Sequence, residues 1–270
     1  MGSGIAQLVA SSGLSTILYE LNNDLLSKAQ RTIENNLRLL VEKGNIIPED
    51  KEKIFQRIQF TDDISKCVSD VIIEAIVENI DAKIQLFDQL ATINEDKAIF
   101  ATNTSSLSIT SIANKISQPA RIVGMHFFNP APIMKLVEVI NSTYTNQQTT
   151  QTIVALARQL GKVPVLCKDS PGFVVNRVAR PYYIESLRLA EEYQVSFGTI
   201  DTLLESSGFK LGPFRLMDLI GNDINYSVSC SVYEQLNKPE RLMPSPIQKE
   251  KVEKGELGKK TGKGYYRYDS

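Results

Sequence analysis

The chain of 270 residues has no tryptophan, one histidine and only three cysteines. Cys67, Cys167 and Cys230 are odd in number, far apart and outside any C-x-x-C pair, which excludes a disulfide framework and a zinc site. A lone imidazole and scattered thiols assemble no metal constellation. No apolar run approaches the roughly 20 residues that cross a bilayer, so no membrane partner is expected. Thirty basic residues stand against 31 acidic ones, a formal net charge of −1. Without a cationic excess, nothing draws the chain to nucleic acid or to an anionic surface. Internal repeats and low-complexity segments are missing too.

What is present is alternation. An apolar fraction of 42% is enough to bury the core of one large domain or two ordinary ones. Residues 14–20 read as a short strand ending in a carboxylate. Residues 24–43 read as a long helix with Leu25, Ala29, Ile33, Leu37 and Leu40 on one face, ended by Gly44. The β-branched run 70–76 predicts a strand covered on both faces. A helix over 80–90 follows, then strands over 98–102, 121–127, 135–140 and 163–167. This rhythm predicts an α/β class with a doubly wound, Rossmann-like sheet. After Pro171-Gly172 only helices are expected, over 173–193, 197–208 and 213–236, and then a polar tail. The expected domains are therefore residues 1–170 and an all-α domain over 171–270.

The chemistry gathers around His126, in Gly124-Met125-His126-Phe127-Phe128-Asn129-Pro130. Glu138 follows inside the apolar run Leu136-Val137-Glu138-Val139-Ile140. Alone, a single histidine reads as a core residue. An imidazole with a strand-borne carboxylate reads as a general base and its orienter. The start, Met1-Gly2-Ser3-Gly4-Ile5-Ala6-Gln7, is a small-residue helix with Glu20 at the end of the following strand. That is the second half of a dinucleotide-binding fingerprint, without the preceding strand and G-x-G turn. An expression-tag remnant is the competing reading of those first residues. The start reads as truncated, so the sheet is expected to lack its first strand and to bind a dinucleotide less tightly than an extended chain.

Eight segments together carry a resemblance. They are the start just quoted, Glu74-Ala75-Ile76-Val77-Glu78-Asn79, Asn103-Thr104-Ser105-Ser106-Leu107, Met125 to Pro130, Lys135 to Val139, Lys168 to Arg177, Leu211 to Asp218, and Gly258 to Tyr266. In this order the chain resembles the single-function L-3-hydroxyacyl-CoA dehydrogenases, over essentially its whole length. The resemblance implies NAD as cofactor, an acyl-CoA substrate and a homodimer formed through the helical domain, which would also help form the substrate cleft. It assigns His126 as base, Glu138 as its partner, and Ser105 and Asn176 to the reacting oxygen. Gly2, Glu20, Glu78, Lys83, Asn103, Ser105, Asn129 and Lys260 fall on cofactor contacts, and Lys43, with Ser105 and Asn176, on substrate contacts. A carboxylate at Glu20 repels a 2′-phosphate and so favours NAD over NADP. Many of these helices are apolar over wide arcs, through Val174, Val175, Val178, Tyr182, Ile184 and Leu187 and then Leu216, Leu219, Ile220, Ile224 and Val228.

Two other readings stay open: a dehydrogenase of free sugar acids such as gulonate, with the same Asn-Thr-Ser-Ser, His and Glu framework, and a cofactor-defective dimeric protein. Reduced cysteines fit a reducing compartment, so a cytoplasmic protein is expected, with the mitochondrial matrix open as well because of the truncated-looking start. The pathway, fatty-acid oxidation or the reductive synthesis of butyrate or polyester precursors, is not written in these residues.

Overall fold

The computed structural model describes residues 1–94 and 98–268. The chain divides into two compact units, Met1–Asp169 and Ser170–Ser270.

Unit 1 runs α1 (Gly2–Ser11), β1 (Thr16–Tyr19), α2 (Asn23–Glu42), α3 (Pro48–Gln56), β2 (Ile58–Thr61), β3 (Val71–Glu74), α4 (Ile80–Asn94), β4 (Ile99–Thr102), α5 (Ile109–Ala113), β5 (Ile122–Phe127), β6 (Leu136–Asn141), α6 (Gln147–Gln159) and β7 (Val163–Lys168). The strands form two sheets. β1 pairs in parallel with β2, and the other five lie in the order β3-β4-β5-β6-β7. Strands β3, β4 and β5 are parallel, as the β-branched runs require. β6 runs antiparallel to β5, and β7 parallel to β6.

The Rossmann-like sheet stands in the two pieces just described, as expected of one that lacks its first strand. Two details differ from the sequence pattern. β3 is a strand, but Val71, Ile72 and Ile73 are only half-buried, because β3 is an edge of its sheet and pairs with β4 alone. β2 is an additional strand; Ile58-Gln59-Phe60-Thr61 is too short and too polar to announce itself.

Helix α1 ties the two pieces together. Ile5 and Leu8 join a core of Met125, Phe127, Val137 and Val139 from β5 and β6 and Ile153 from α6. On its other side Ala6 and Ala10 pack with Leu18, Ile33, Leu37 and Ile58. Small residues on a helix admit both neighbours, and each large apolar side chain buried this way contributes about 1.5–3 kcal/mol. All six residues of β5 are buried, so the strand carrying His126 is held rigidly by packing.

Unit 2 is helical: α7 (Val175–Glu192), α8 (Phe197–Ser206), α9 (Pro213–Ile220), α10 (Asn222–Gln235) and α11 (Pro246–Glu253). The expected single helix over 213–236 is two helices. Gly221, at φ +104°, takes a conformation only glycine adopts easily, and the chain turns there. The expected polar tail is folded as well. Buried Asp218 on α9 accepts hydrogen bonds from the Tyr265 and Tyr266 amides, each at 3.0 Å, and from the Tyr268 hydroxyl at 2.9 Å. Tyr265 also packs edge-on against Phe197 and Phe214. The lysine-rich composition of 249–263 hides this, because most of those lysines are exposed while the tyrosines are drawn to the carboxylate. Of the apolar helix residues, Ile184 and Leu187 are core, whereas Val174, Val178, Leu219, Ile220 and Ile224 are exposed.

Candidate active site

The antiparallel pairing of β5 with β6 sets His126 directly opposite Glu138. Their side chains share a face of the sheet, and His126 Nδ1 lies 2.7 Å from Glu138 Oε2. Glu138 is fully buried and His126 is 6% exposed. Low dielectric strengthens such a contact. With Nδ1 facing the carboxylate, proton exchange at this ring falls to Nε2. The imidazole also stacks obliquely on Phe128, with centroids 4.6 Å apart. Nearby Cys167 is no competitor: burial, then the charges of Glu138 and Asp169, push its thiol up to about 12. It stays a thiol at neutral pH.

The loop after β4 is fastened to the same strand. Asn103 Oδ1 accepts the Phe127 amide at 2.8 Å, one residue beyond the imidazole. Glu78 organises the rest. Its Oε1 accepts from the Thr104 hydroxyl at 2.5 Å, the Ser105 amide at 3.1 Å, and the Ser106 amide and hydroxyl at 3.2 and 2.9 Å. Burial raises the Glu78 pKa, but the Thr104 hydrogen bond, the Lys83 charge and the Ser106 and Ser105 bonds outweigh it, leaving it below the ordinary glutamate value. The Ser105 backbone is thus fixed while its hydroxyl makes no hydrogen bond among the described residues.

Lys83 is 1% exposed. Its ammonium lies 2.6 Å from Glu74 and 3.4 Å from Glu78. Glu74 also accepts the Thr102 hydroxyl and the Ile76 amide, both at 2.7 Å. Glu74, unnoticed in the sequence, therefore anchors the ends of β3 and β4. Asp169, after β7, accepts from the Ser108 hydroxyl and the Thr110 amide and so holds the start of α5.

The residues fit a dinucleotide at its adenosine end. Glu20 closes β1, and among the described residues its carboxylate takes no hydrogen bond or ion pair, so it is available to a ribose diol. Helix α1, from Gly2, has no side-chain cap and no acid in its first turn, so its positive end is compatible with an anion. Gly4 meets the turn after β5: a Cβ there would touch Pro132 Cδ at 3.4 Å. Asn129 is exposed in that turn. Lys43, at the C-terminal end of α2, is exposed and joins none of these groups. Asn176 and Lys260 belong to unit 2. Asn176 lies in the first turn of α7, where its carbonyl accepts from Arg180 Nε. Lys260 pairs with Asp223 at 2.6 Å. Among the described residues no helix is long and apolar enough to cross a membrane, and no cluster of His, Cys, Asp or Glu is placed to hold a metal.

A largely parallel sheet carrying a buried imidazole–carboxylate pair, followed by a helical unit, fits a nucleotide-dependent oxidoreductase. Residues 1–170 match the family model of the 3-hydroxyacyl-CoA dehydrogenase NAD binding domain, and residues 172–268 match that of the C-terminal domain. The chain belongs to the 3-hydroxyacyl-CoA dehydrogenase family, NAD-dependent oxidoreductases acting on a CH–OH group. It is 43% identical over 268 residues to the 3-hydroxyadipyl-CoA dehydrogenase of Escherichia coli, covering 98% of this chain and 56% of that protein, little more than half its length. With human mitochondrial hydroxyacyl-coenzyme A dehydrogenase the identity is 41%, over 99% of this chain and 88% of the other. The crystal structure of (S)-3-hydroxybutyryl-CoA dehydrogenase from Ralstonia eutropha matches with a TM-score of 0.95 and 36% identity, covering 100% and 96% of the two chains.

Proposed function

We propose that the chain interconverts a (3S)-3-hydroxyacyl-CoA and the 3-ketoacyl-CoA, using NAD. The observation that carries this is the 2.7 Å contact of His126 with Glu138. Oxidising the alcohol removes a proton from oxygen and a hydride from carbon. NAD, when bound, supplies the acceptor for the hydride. His126 takes the proton at Nε2, and the imidazolium so formed faces the Glu138 carboxylate. Ser105, with its hydroxyl uncommitted on a fixed backbone, and Asn176, from its place in the family motif, donate hydrogen bonds to the reacting oxygen. Glu20 holds the ribose hydroxyls, helped at the cofactor by Gly2, Asn103, Asn129 and Lys260. Glu78, with Lys83 behind it, keeps the Ser105 loop in shape at the nicotinamide end. Lys43 is offered to the CoA moiety by its exposure alone.

The second unit supplies part of the substrate cleft and the surface of a homodimer. Exposed Val178, Leu219 and Ile224 support the latter, since large apolar side chains left on a helical surface favour association. Light scattering at micromolar concentration should give twice 30.1 kDa. A stable monomer would remove the dimer from this reading. The mitochondrial and bacterial relatives and the reduced cysteines together support a reducing compartment, cytoplasm or matrix.

The test of the reaction is NAD reduction with 3-hydroxybutyryl-CoA beside gulonate. Turnover of the thioester and not of the sugar acid is expected. The reverse preference, or failure of NADH to bind in a calorimetric titration, would overturn the assignment.

A further inference from the structure

The residue with the most unusual surroundings outside this machinery is Lys162. It is 7% exposed, and among the described residues no carboxylate lies within ion-pair distance. Its ammonium donates instead to three backbone carbonyls: Ala131 at 2.7 Å, Met134 at 2.9 Å and Pro132 at 3.3 Å. An ammonium has three N–H donors, so the group is fully satisfied by one turn of chain. Burial holds the lysine pKa below its ordinary value.

The lysine is itself placed by its backbone. Gly161, at φ +69°, ends α6, with its amide on Arg158 O and the Lys162 amide returning to Ala157 O, both at 2.9 Å. This double bond pattern closes a helix by satisfying its last carbonyls. The next amide, Val163, donates to Lys135 O at 2.8 Å. Lys162 is thus fixed on both sides, and its side chain reaches a turn it does not belong to.

That turn joins β5 to β6 and so separates His126 from Glu138. Within it the Ile133 and Met134 amides both bond Pro130 O at 3.0 Å. The carbonyls left over at its far end are those that Lys162 collects. The turn also carries Asn129 and packs on Gly4 of α1. We infer that Lys162 is a positioning residue: its ammonium sets the 130–134 turn, and through it the seating of His126 on Glu138 and the placement of Asn129, which leads into that turn. The cofactor part of this rests on the proposed NAD-dependent activity; the His126 part does not.

The single histidine makes the test clean, because the imidazole NMR signals of the protein belong to His126 alone. Lys162→Met keeps the length of the side chain and removes all three donors. The low-field Hδ1 signal of the short His126–Glu138 bond should broaden or move, and NADH should bind more weakly. A displacement on the order of 1 Å can lower turnover by about 100-fold, so kcat should fall by up to that factor. If the imidazole signals stay where they are while the melting temperature drops, Lys162 is packing only and the inference is overturned. Should Lys162→Met not fold, Lys162→Gln, which keeps a donor, takes the same comparison with the same two outcomes. A parent protein that binds no NADH would overturn the functional reading, and the imidazole spectra would still decide the role of Lys162.

Discussion

Exchanging Glu138 for glutamine removes a charge and almost no volume. The carboxylate is fully buried, with Oε2 2.7 Å from His126 Nδ1, so the exchange acts where screening by water is absent. A hydrogen bond to a charged group is worth about 1.5–3 kcal/mol, against about 0.5–1.5 for a neutral one. The difference, about 1–2 kcal/mol, is lost from the state in which the imidazole has taken the proton. At about 1.36 kcal/mol per decade this lowers kcat by roughly 5- to 30-fold. A second effect compounds it. The amide can turn its NH2 toward Nδ1, which leaves the ring proton on Nε2, the nitrogen that must accept. In a Ser-His-Asp triad a comparable wrong tautomer lowers kcat by about 10⁴. The expected loss for Glu138→Gln therefore lies between about 5-fold and about 10⁴-fold. Stability should not follow, because removing a buried charge relieves desolvation. The measurement is steady-state NADH oxidation with a 3-ketoacyl-CoA, alongside a thermal melt. A kcat within about threefold of the parent would refute the pairing as a catalytic device. So would a fall in activity that merely tracks a fall in melting temperature.

Three further outcomes are expected. His126→Gln should lower kcat by about 10²- to 10⁴-fold while NADH titrates almost as before, and near-parental turnover would end its assignment as base. Asp218→Ala takes the acceptor from the part-buried Tyr265 and Tyr266 amides and the Tyr268 hydroxyl; with water replacing part of what is lost, calorimetry should show a loss of about 1–3 kcal/mol in all. A loss below about 1 kcal/mol would mean the tail is not held by that carboxylate. Glu78 has a folded-state pKa below its ordinary 4.5, so the stability it contributes is complete above that value and disappears as the pH falls through the lower one. Denaturant melts of Glu78→Gln should accordingly show a shallower acid dependence than the parent, and parallel curves would contradict the proposed anchoring.

Periodicity and β-branching located the elements that matter most. The run around Val71 to Glu74, the strand ending at Phe127 and the helix from Asn23 are where the residue pattern puts them. The pairing of His126 with Glu138 could be suspected from a carboxylate stranded among Val137, Val139 and Ile140. Its cause, the antiparallel run of β6, could not, because strand direction is set by the connection and not by the side chains of the strand. Gly221 leaves no mark in the pattern, since the apolar spacing continues on either side of it. Lys162 and Glu74 escaped for a different reason. A lysine after a helix-ending glycine and a glutamate ending a strand look like solvated surface groups, and only tertiary contact turns them inward. Long-range hydrogen-bond partners such as Ala131 to Met134 leave no local trace.

The ladder that joins β5 to β6 also restricts how this part of the chain can change over generations. Neighbouring residues of a strand point to opposite faces, so a one-residue slip would carry Glu138 away from the imidazole and bring Val137 or Val139 opposite it. The eight residues from Phe128 to Lys135 therefore act as a ruler. An inserted or deleted single residue would have to be absorbed as a bulge within the connection itself, or catalysis would be lost while the fold survived. Length in this connection is constrained by geometry, independently of which side chains occupy it.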